Sequence, residues 1–158
     1  MLPTAHRTIL KPIAAIIALR TALLVGAALA AGLPQATDAA TAAPDDAQVY
    51  FIWPRDGTVI RGGRFWLRMG LRNMGVAPKG VAVQNTGHHH VIIDAPLPPS
   101  GEPVPSDRNH LHFGAGETEA RLELPPGRHT LQLLLGDQNH LPHDPPVHST
   151  PISIMVVK

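Results

Sequence analysis

Apolar and polar residues alternate along much of the chain after residue 47, which is the pattern of β-strands that bury one face. In residues 64–72, three arginines lie on one face, which Trp66 interrupts, and apolar side chains occupy the other. The same period of two recurs in residues 128–135, and proline- and glycine-rich turns separate the segments. The pattern therefore predicts an all-β domain, an immunoglobulin-like antiparallel β-sandwich of about seven or eight short strands. Its core is expected to pack Phe65, Leu67, Met69 and Leu71 against Leu131, Leu133 and Leu135.

The first 46 residues have a different character. Basic residues Arg7 and Lys11 precede an apolar run at residues 21–31, and Ala28-Leu29-Ala30 is a small-x-small cleavage sequence. This layout is typical of a secretory signal peptide. A retained membrane anchor is the alternative, but a span needs about 20 unbroken apolar residues, and Arg20 interrupts this one.

The predicted division of the chain follows from these patterns. It is a signal peptide at residues 1–31, a flexible lead at 32–46 and a single histidine-rich domain at 47–158. The lead is assigned because its alanine-, proline- and aspartate-rich composition lacks the apolar content needed to pack. Cleavage of the signal would leave a periplasmic or secreted protein that makes no membrane contact.

Composition removes several classes of function. Residues 47–158 contain ten Lys/Arg and nine Asp/Glu without a basic run, which argues against nucleic acid as a partner. Because the chain has no cysteine, disulfides, thiolate zinc sites and blue-copper centres are excluded. No Gly-x-Ser-x-Gly or Walker-type loop occurs, and no catalytic residue is assigned. The sequence identifies no protein partner.

Histidine is the residue type that suggests chemistry, since nine of the ten lie between His88 and His148. Residues i and i+2 of a strand share a face, about 6.5–7 Å apart, so each His-x-His pair can present two imidazoles to one ion. The predicted partner is a metal ion, copper or zinc; copper(II) is favoured by the affinity order, although availability decides in a cell. The predicted ligands are His88, His90, His110, His112, His140 and His143. The residues expected to support them from outside the coordination sphere are His89, His129, Asp94, Asp137, Asn139 and Asp144.

Two other functions remain open at this point. The histidines can form a hydrogen-bonded network that locks loops to the sandwich in a structural or interaction domain. A mononuclear metal enzyme is the third reading, with two histidines and Asp137 or Asp94 as a facial triad. Convergence of the ring nitrogens on one point favours a metal site, whereas separate bonds to carbonyls and carboxylates favour the network.

Four motifs in combination also resemble a known family. They are Asn-Thr-Gly-His-His-His at 85–90, His-Leu-His-Phe-Gly at 110–114, Leu-Pro-Pro-Gly-Arg-His-Thr-Leu-Gln-Leu at 124–133 and Leu-Gly-Asp-Gln-Asn-His-Leu-Pro-His-Asp-Pro-Pro at 135–146. The chain resembles, over nearly all of residues 48–157, the bacterial exported family called domain of unknown function four-three-nine-nine. The resemblance implies a compact exported domain whose histidine, aspartate and asparagine motifs form a shared site. It implies no function, so the metal hypothesis rests on the spacing of the histidines.

Overall fold

A computed structural model describes residues 39–158, which consist of strands, turns and loops. The predicted signal peptide and residues 32–38 of the predicted lead lie outside the described residues. In residues 39–158 no helix is long and apolar enough to span a membrane. The strands are β1 (Gln48–Trp53), β2 (Val59–Arg61), β3 (Arg64–Arg72), β4 (Gly75–Val76), β5 (Thr86–Ile93), β6 (His110–His112), β7 (Glu119–Glu123), β8 (Gly127–Gly136) and β9 (Ile152–Val157).

The strands form two sheets, which confirms the predicted all-β class. One sheet has the order β1-β3-β7 and is antiparallel. The other has the order β2-β9-β8-β5-β4, with β6 paired to β5. Two short strands depart from the antiparallel prediction, because β2 pairs with β9 and β4 pairs with β5 in parallel. Strands β2 and β4 have three and two residues, which is too short to show an alternating pattern. The described residues therefore contain nine strands, whereas about seven or eight were predicted.

The predicted core faces do pack together between the two sheets. Leu67 of β3 and Leu131, Leu133 and Leu135 of β8 are completely buried in one hydrophobic cluster. Phe65 and Met69 lie in the same cluster, while Leu71 is partly buried at its margin. The period of two in β3 and β8 therefore identified the inner face correctly, because alternate side chains of a strand point to opposite faces.

Strand β5 is buried on both faces. Val91 and Ile93 contribute to the core between the sheets. On the outer face, Ile92 packs with Leu134 of β8 and is covered by Val104 from the long β5–β6 connection. His88 and His90 share the parity of Ile92, so they lie on the same outer face of the sheet.

The segment that precedes β1 is hydrogen-bonded to the loop after β8. Ala42 forms a parallel bridge with Asp144, and the amide of Ala43 donates to the Asp144 carbonyl at 2.9 Å. These contacts differ from the expectation of a flexible lead that extends to Asp46. Composition describes the local chain alone, whereas the pairing partner of this segment lies about a hundred residues away in sequence.

Candidate metal centre

Strand pairing brings three histidines together. His88 and His90 lie on the outer face of β5, and His112 of β6 is directly opposite His90 in the register. The ring centroids of His88 and His90 are 4.9 Å apart, and each is 5.0 Å from that of His112. One nitrogen from each ring lies within 4.8 Å of the other two. These three imidazoles can therefore act as ligands of a single metal ion.

His140 adds a fourth ring from the loop that follows β8. Its Nε2 is 3.0 Å from Nε2 of His112, and its ring centroid is 5.1 Å from that of His88. The backbone of His140 has φ +66°, a left-handed conformation that few residues other than glycine adopt and that often marks a functional position. We refer to His88, His90, His112 and His140 as the histidine cluster.

Two glycines leave the space that the cluster fills. A Cβ atom at Gly136, which pairs with His88 across β5 and β8, would lie 2.8 Å from Nε2 of His90. A Cβ at Gly114 would overlap the ring of His112. Neither ring could keep its position beside a larger residue, because the added Cβ would overlap it.

The two innermost rings have no hydrogen-bond partner within residues 39–158. His88 and His90 are buried, and neither nitrogen of either ring is hydrogen-bonded. An unpaired buried polar group costs roughly 1–3 kcal/mol. His112 and His140 contact each other, which a pair of neutral rings can do with one donor and one acceptor. His112 and His140 thus have a polar partner in each other, whereas His88 and His90 have none within residues 39–158.

The environment keeps His88, His90 and His112 uncharged. Burial, followed by repulsion from the neighbouring histidines, lowers the pKa of His88 to about 4 and that of His90 to about 2. Burial also lowers the pKa of His112, with further contributions from His140 and Lys79. At neutral pH these rings are therefore neutral imidazoles, the form that binds a metal.

Two of the predicted ligands lie away from the cluster. His110 shares a face with His112, but its register position is opposite Ile92, and its Nδ1 is 2.9 Å from the Asp107 carboxylate. His143 is buried elsewhere, with Nε2 3.1 Å from the Thr86 carbonyl and Nδ1 3.3 Å from the Leu135 carbonyl. Both side chains thus contact protein oxygen atoms rather than the other imidazoles.

Among the predicted supporting residues, Asp137 is the one that organises a ligand-bearing loop. Its buried carboxylate accepts hydrogen bonds from the amides of Asn139 (2.8 Å) and Leu141 (3.0 Å), on either side of His140. Asn139 contributes this amide while remaining exposed. Asp144 is also exposed, and its hydrogen bonds to Thr41 and Ala43 use its backbone.

The other supporting candidates lie apart from the cluster. His89 points to the inner face of β5, where its Nδ1 is 3.2 Å from the Glu117 carbonyl. Asp94 follows the opposite end of β5 from His88 and contacts His129, with 2.7 Å between Oδ2 and Nδ1. Asp94 is four residues after His90, and four residue steps along a strand span roughly 13 Å. Asp94 is therefore too far along the strand to join the histidine cluster, and the oxygens of Asp137 are hydrogen-bonded to Thr41, Asn139 and Leu141.

Several residues that shape the site were not singled out by the sequence pattern. The amides of Lys79 and Gly80 donate to the carbonyls of Gly114 and Gln138, which ties the turn beside His112 to the loop of His140. Gly136 could have been identified from the sequence, since a glycine at the end of an apolar strand indicates close packing against the backbone.

Comparison with known proteins gives a family and a distant structural likeness. The model of the family described as "Domain of unknown function (DUF4399)" matches residues 67–157. Among solved structures, the fibronectin(III)-like modules of Clostridium thermocellum CbhA are 14% identical, with a TM-score of 0.34, covering 69% of this chain and 93% of that chain. No curated protein is significantly similar to this chain.

Proposed function

Because the chain belongs to the family described as Domain of unknown function (DUF4399), whose description assigns no activity, we propose a function from the site itself. The domain binds one transition-metal ion, copper or zinc, through the histidine cluster. The observation that carries this proposal is the pair His88 and His90, whose four ring nitrogens are buried beside His112 without a hydrogen-bond partner in residues 39–158. A bound ion would use lone pairs that the protein leaves unused.

The donor set supports the choice of metal. Neutral imidazole suits copper, zinc, nickel and iron(II), whereas magnesium and calcium require oxygen ligands. Copper(II) is at the top of the affinity order for nitrogen sites, so it is the first ion to test, followed by zinc. We propose a binding or carrier role, since the two carboxylates considered for a facial triad, Asp94 and Asp137, are hydrogen-bonded to other groups.

The alternative function, a structural network of hydrogen-bonded histidines, is supported by only some of the histidines. His129 and His143 each have both ring nitrogens close to protein oxygens, as a structural histidine should. His88 and His90 have none, so a network would leave two of its fully buried members unsatisfied. Structural histidines and ligand histidines therefore coexist in this domain, at different positions.

We also infer that the domain works outside the cytoplasm. The support is the basic start, short apolar run and Ala28-Leu29-Ala30 sequence of the first 31 residues. A carrier or buffer of copper or zinc in the periplasm is consistent with a small domain that has no thiol to oxidise.

The test compares two histidines of the same strand. Purified, untagged protein is titrated with copper(II) and with zinc at pH 7, and the thermal unfolding midpoint and stoichiometry are measured. The wild type is expected to bind one ion and to gain stability, by about 2.7 kcal/mol at a hundredfold excess over the dissociation constant. His112→Ala should lose most of this gain.

His110→Ala is the matched control, because it removes an imidazole of the same face two residues away that contacts Asp107 instead. It should retain the metal response. If neither metal changes the midpoint of the wild type, or if His110→Ala and His112→Ala lose the response equally, the proposed site is wrong.

A further inference from the structure

We infer that Thr41, in the segment before the first strand, is a positioning residue of the metal site that holds His140 in place through Asp137. The inference rests on the proposed function, because it assigns to this segment a role in metal binding. Thr41 does not contact the cluster; its effect would be transmitted through the loop formed by residues 137–143.

The contact between Thr41 and Asp137 is made by side chain and backbone together. The Thr41 hydroxyl donates to Oδ2 of Asp137 at 2.8 Å, and the Thr41 amide lies 3.3 Å from the same oxygen. The amide of Asp144 donates to the Thr41 carbonyl at 3.0 Å. The segment is thus hydrogen-bonded to both ends of the loop that carries His140.

Asp137 connects this segment to His140. Its other oxygen, Oδ1, accepts the amides of Asn139 and Leu141, and its carbonyl accepts the His140 amide at 3.0 Å. One buried carboxylate therefore receives hydrogen bonds from Thr41 on one oxygen and from the turn around His140 on the other. A rotation of this carboxylate would weaken both sets, because hydrogen bonds depend strongly on direction.

The turn requires such support because of its backbone. His140 has φ +66°, and a residue other than glycine holds this conformation only when its surroundings enforce it. The ring of His140 reaches His112 from this conformation, with 3.0 Å between the Nε2 atoms. Relaxation of His140 to an ordinary φ would redirect the ring and remove one of four nitrogens from the ion.

The experiment uses Thr41→Val, which keeps the size and branching of the side chain and removes the hydroxyl. Copper(II) affinity is measured by titration, and the number of coordinated nitrogens is measured by electron paramagnetic resonance. Thr41→Val is expected to raise the dissociation constant by about 10- to 100-fold, the range observed for supporting residues of metal sites. Its nitrogen hyperfine pattern should change from that of four imidazoles towards that of three.

Two further variants separate positioning from general stability. Thr41→Ser retains the hydroxyl and should restore both the affinity and the spectrum. Thr58→Val removes a hydroxyl that bonds only within an exposed turn at Arg55, and it should change neither. A Thr41→Val protein that unfolds more easily but binds copper(II) with unchanged affinity and spectrum would overturn the inference.

A double-mutant comparison identifies His140 as the target. In the His140→Ala background, Thr41→Val should have no further effect on copper(II) affinity, since the ligand that it positions is absent. If the two substitutions weaken binding independently, Thr41 does not act through His140. Failure of the proposed function is a separate result, because the wild type itself would then bind neither copper(II) nor zinc.

Discussion

The histidine cluster places two polar side chains where apolar ones would be more stable. His88 and His90 lie on the same outer face as Ile92, which is packed against Leu134 and Val104. Their ring nitrogens lack hydrogen bonds within residues 39–158, so their presence disfavours the folded state in the absence of metal. Binding sites commonly contain groups that cost stability when the ligand is absent.

His90→Leu is therefore expected to stabilise the metal-free protein, by roughly 1–3 kcal/mol, because it removes an unsatisfied buried polar ring of similar size. Urea unfolding in the presence of a chelator measures this change. The same variant should no longer bind copper(II) normally. His143→Leu is the contrasting control, since it removes a buried ring whose nitrogens lie beside the carbonyls of Thr86 and Leu135, and it should destabilise the protein.

The pH dependence of the His90→Leu effect follows from the same burial. The pKa of His90 is lowered from 6.5 to about 2 by burial and then by its histidine neighbours, so the unfolded chain takes up a proton before the folded one. Above pH 6.5, protonation of His90 does not affect the free energy of unfolding. Below pH 6.5, the unfolded chain binds a proton that the folded chain does not, so the free energy of unfolding decreases as the pH falls. The advantage of His90→Leu should thus grow in acid, by about 1.4 kcal/mol for each pH unit below 6.5. An advantage that is absent at pH 7 and does not grow by pH 5 would contradict this account.

At the scale of elements, one charged contact joins the end of β5 to the turn between β7 and β8. His129 places Nδ1 2.7 Å from Asp94 and Nε2 2.9 Å from the Pro125 carbonyl. Both partners are acceptors, so both contacts are hydrogen bonds only when the ring carries two protons. Burial alone lowers the pKa of His129, but the bonds to Asp94 and Pro125 and the charge of Asp94 outweigh it, and the pKa is raised.

Asp94→Asn is expected to reduce stability at pH 6 and to have less effect at pH 9. Because the pKa of His129 is raised in the folded protein, its protonated ring stabilises the fold fully below 6.5, the pKa in the unfolded chain. This stabilisation is lost as the pH rises through the pKa in the folded protein. The expected loss at pH 6 is about 1–2 kcal/mol, at the low end for a charged hydrogen bond, because Asp94 is 40% exposed and partly screened. Chemical unfolding with a chelator at both pH values provides the measurement. An effect of equal size at pH 6 and pH 9 would show that His129 is not protonated in the folded protein.

At the scale of the whole molecule, the segment around Thr41 connects the site with maturation of the chain. Thr41 and Ala43 are hydrogen-bonded to the domain, whereas the predicted signal peptide ends at residue 31. If export removes the signal, the cut must leave Thr41 attached for the site to be complete. Maturation and metal binding would then depend on the same short segment.

We therefore expect a mature N-terminus between Ala31 and Thr41. Mass spectrometry and N-terminal sequencing of protein from a periplasmic fraction test this expectation. Membrane-bound protein that retains Met1 would indicate an anchor instead of a cleaved signal. A mature chain that begins after Thr41 yet binds copper(II) with full affinity would contradict the positioning role of Thr41.

The sequence by itself determined the all-β class and the core-facing positions of β3 and β8. These properties depend on the period of two, which is local: any strand with this alternation buries the apolar parity. Neutral composition, the lack of cysteine and the concentration of histidine likewise required no coordinates. Short strands such as β4 escaped prediction, because two residues contain no period.

Only the tertiary structure decided which histidines meet. His110 and His112 lie on the same face of the same strand. The register nevertheless places His112 opposite His90 and His110 opposite Ile92. His140 and His143 share one loop, but the left-handed turn at His140 directs the first to the cluster, while the second contacts carbonyls of Thr86 and Leu135. The spacing of histidines in the sequence predicts which side chains share a face of one strand. Convergence depends on pairing register and on loop conformation, which are set by contacts between residues distant in sequence.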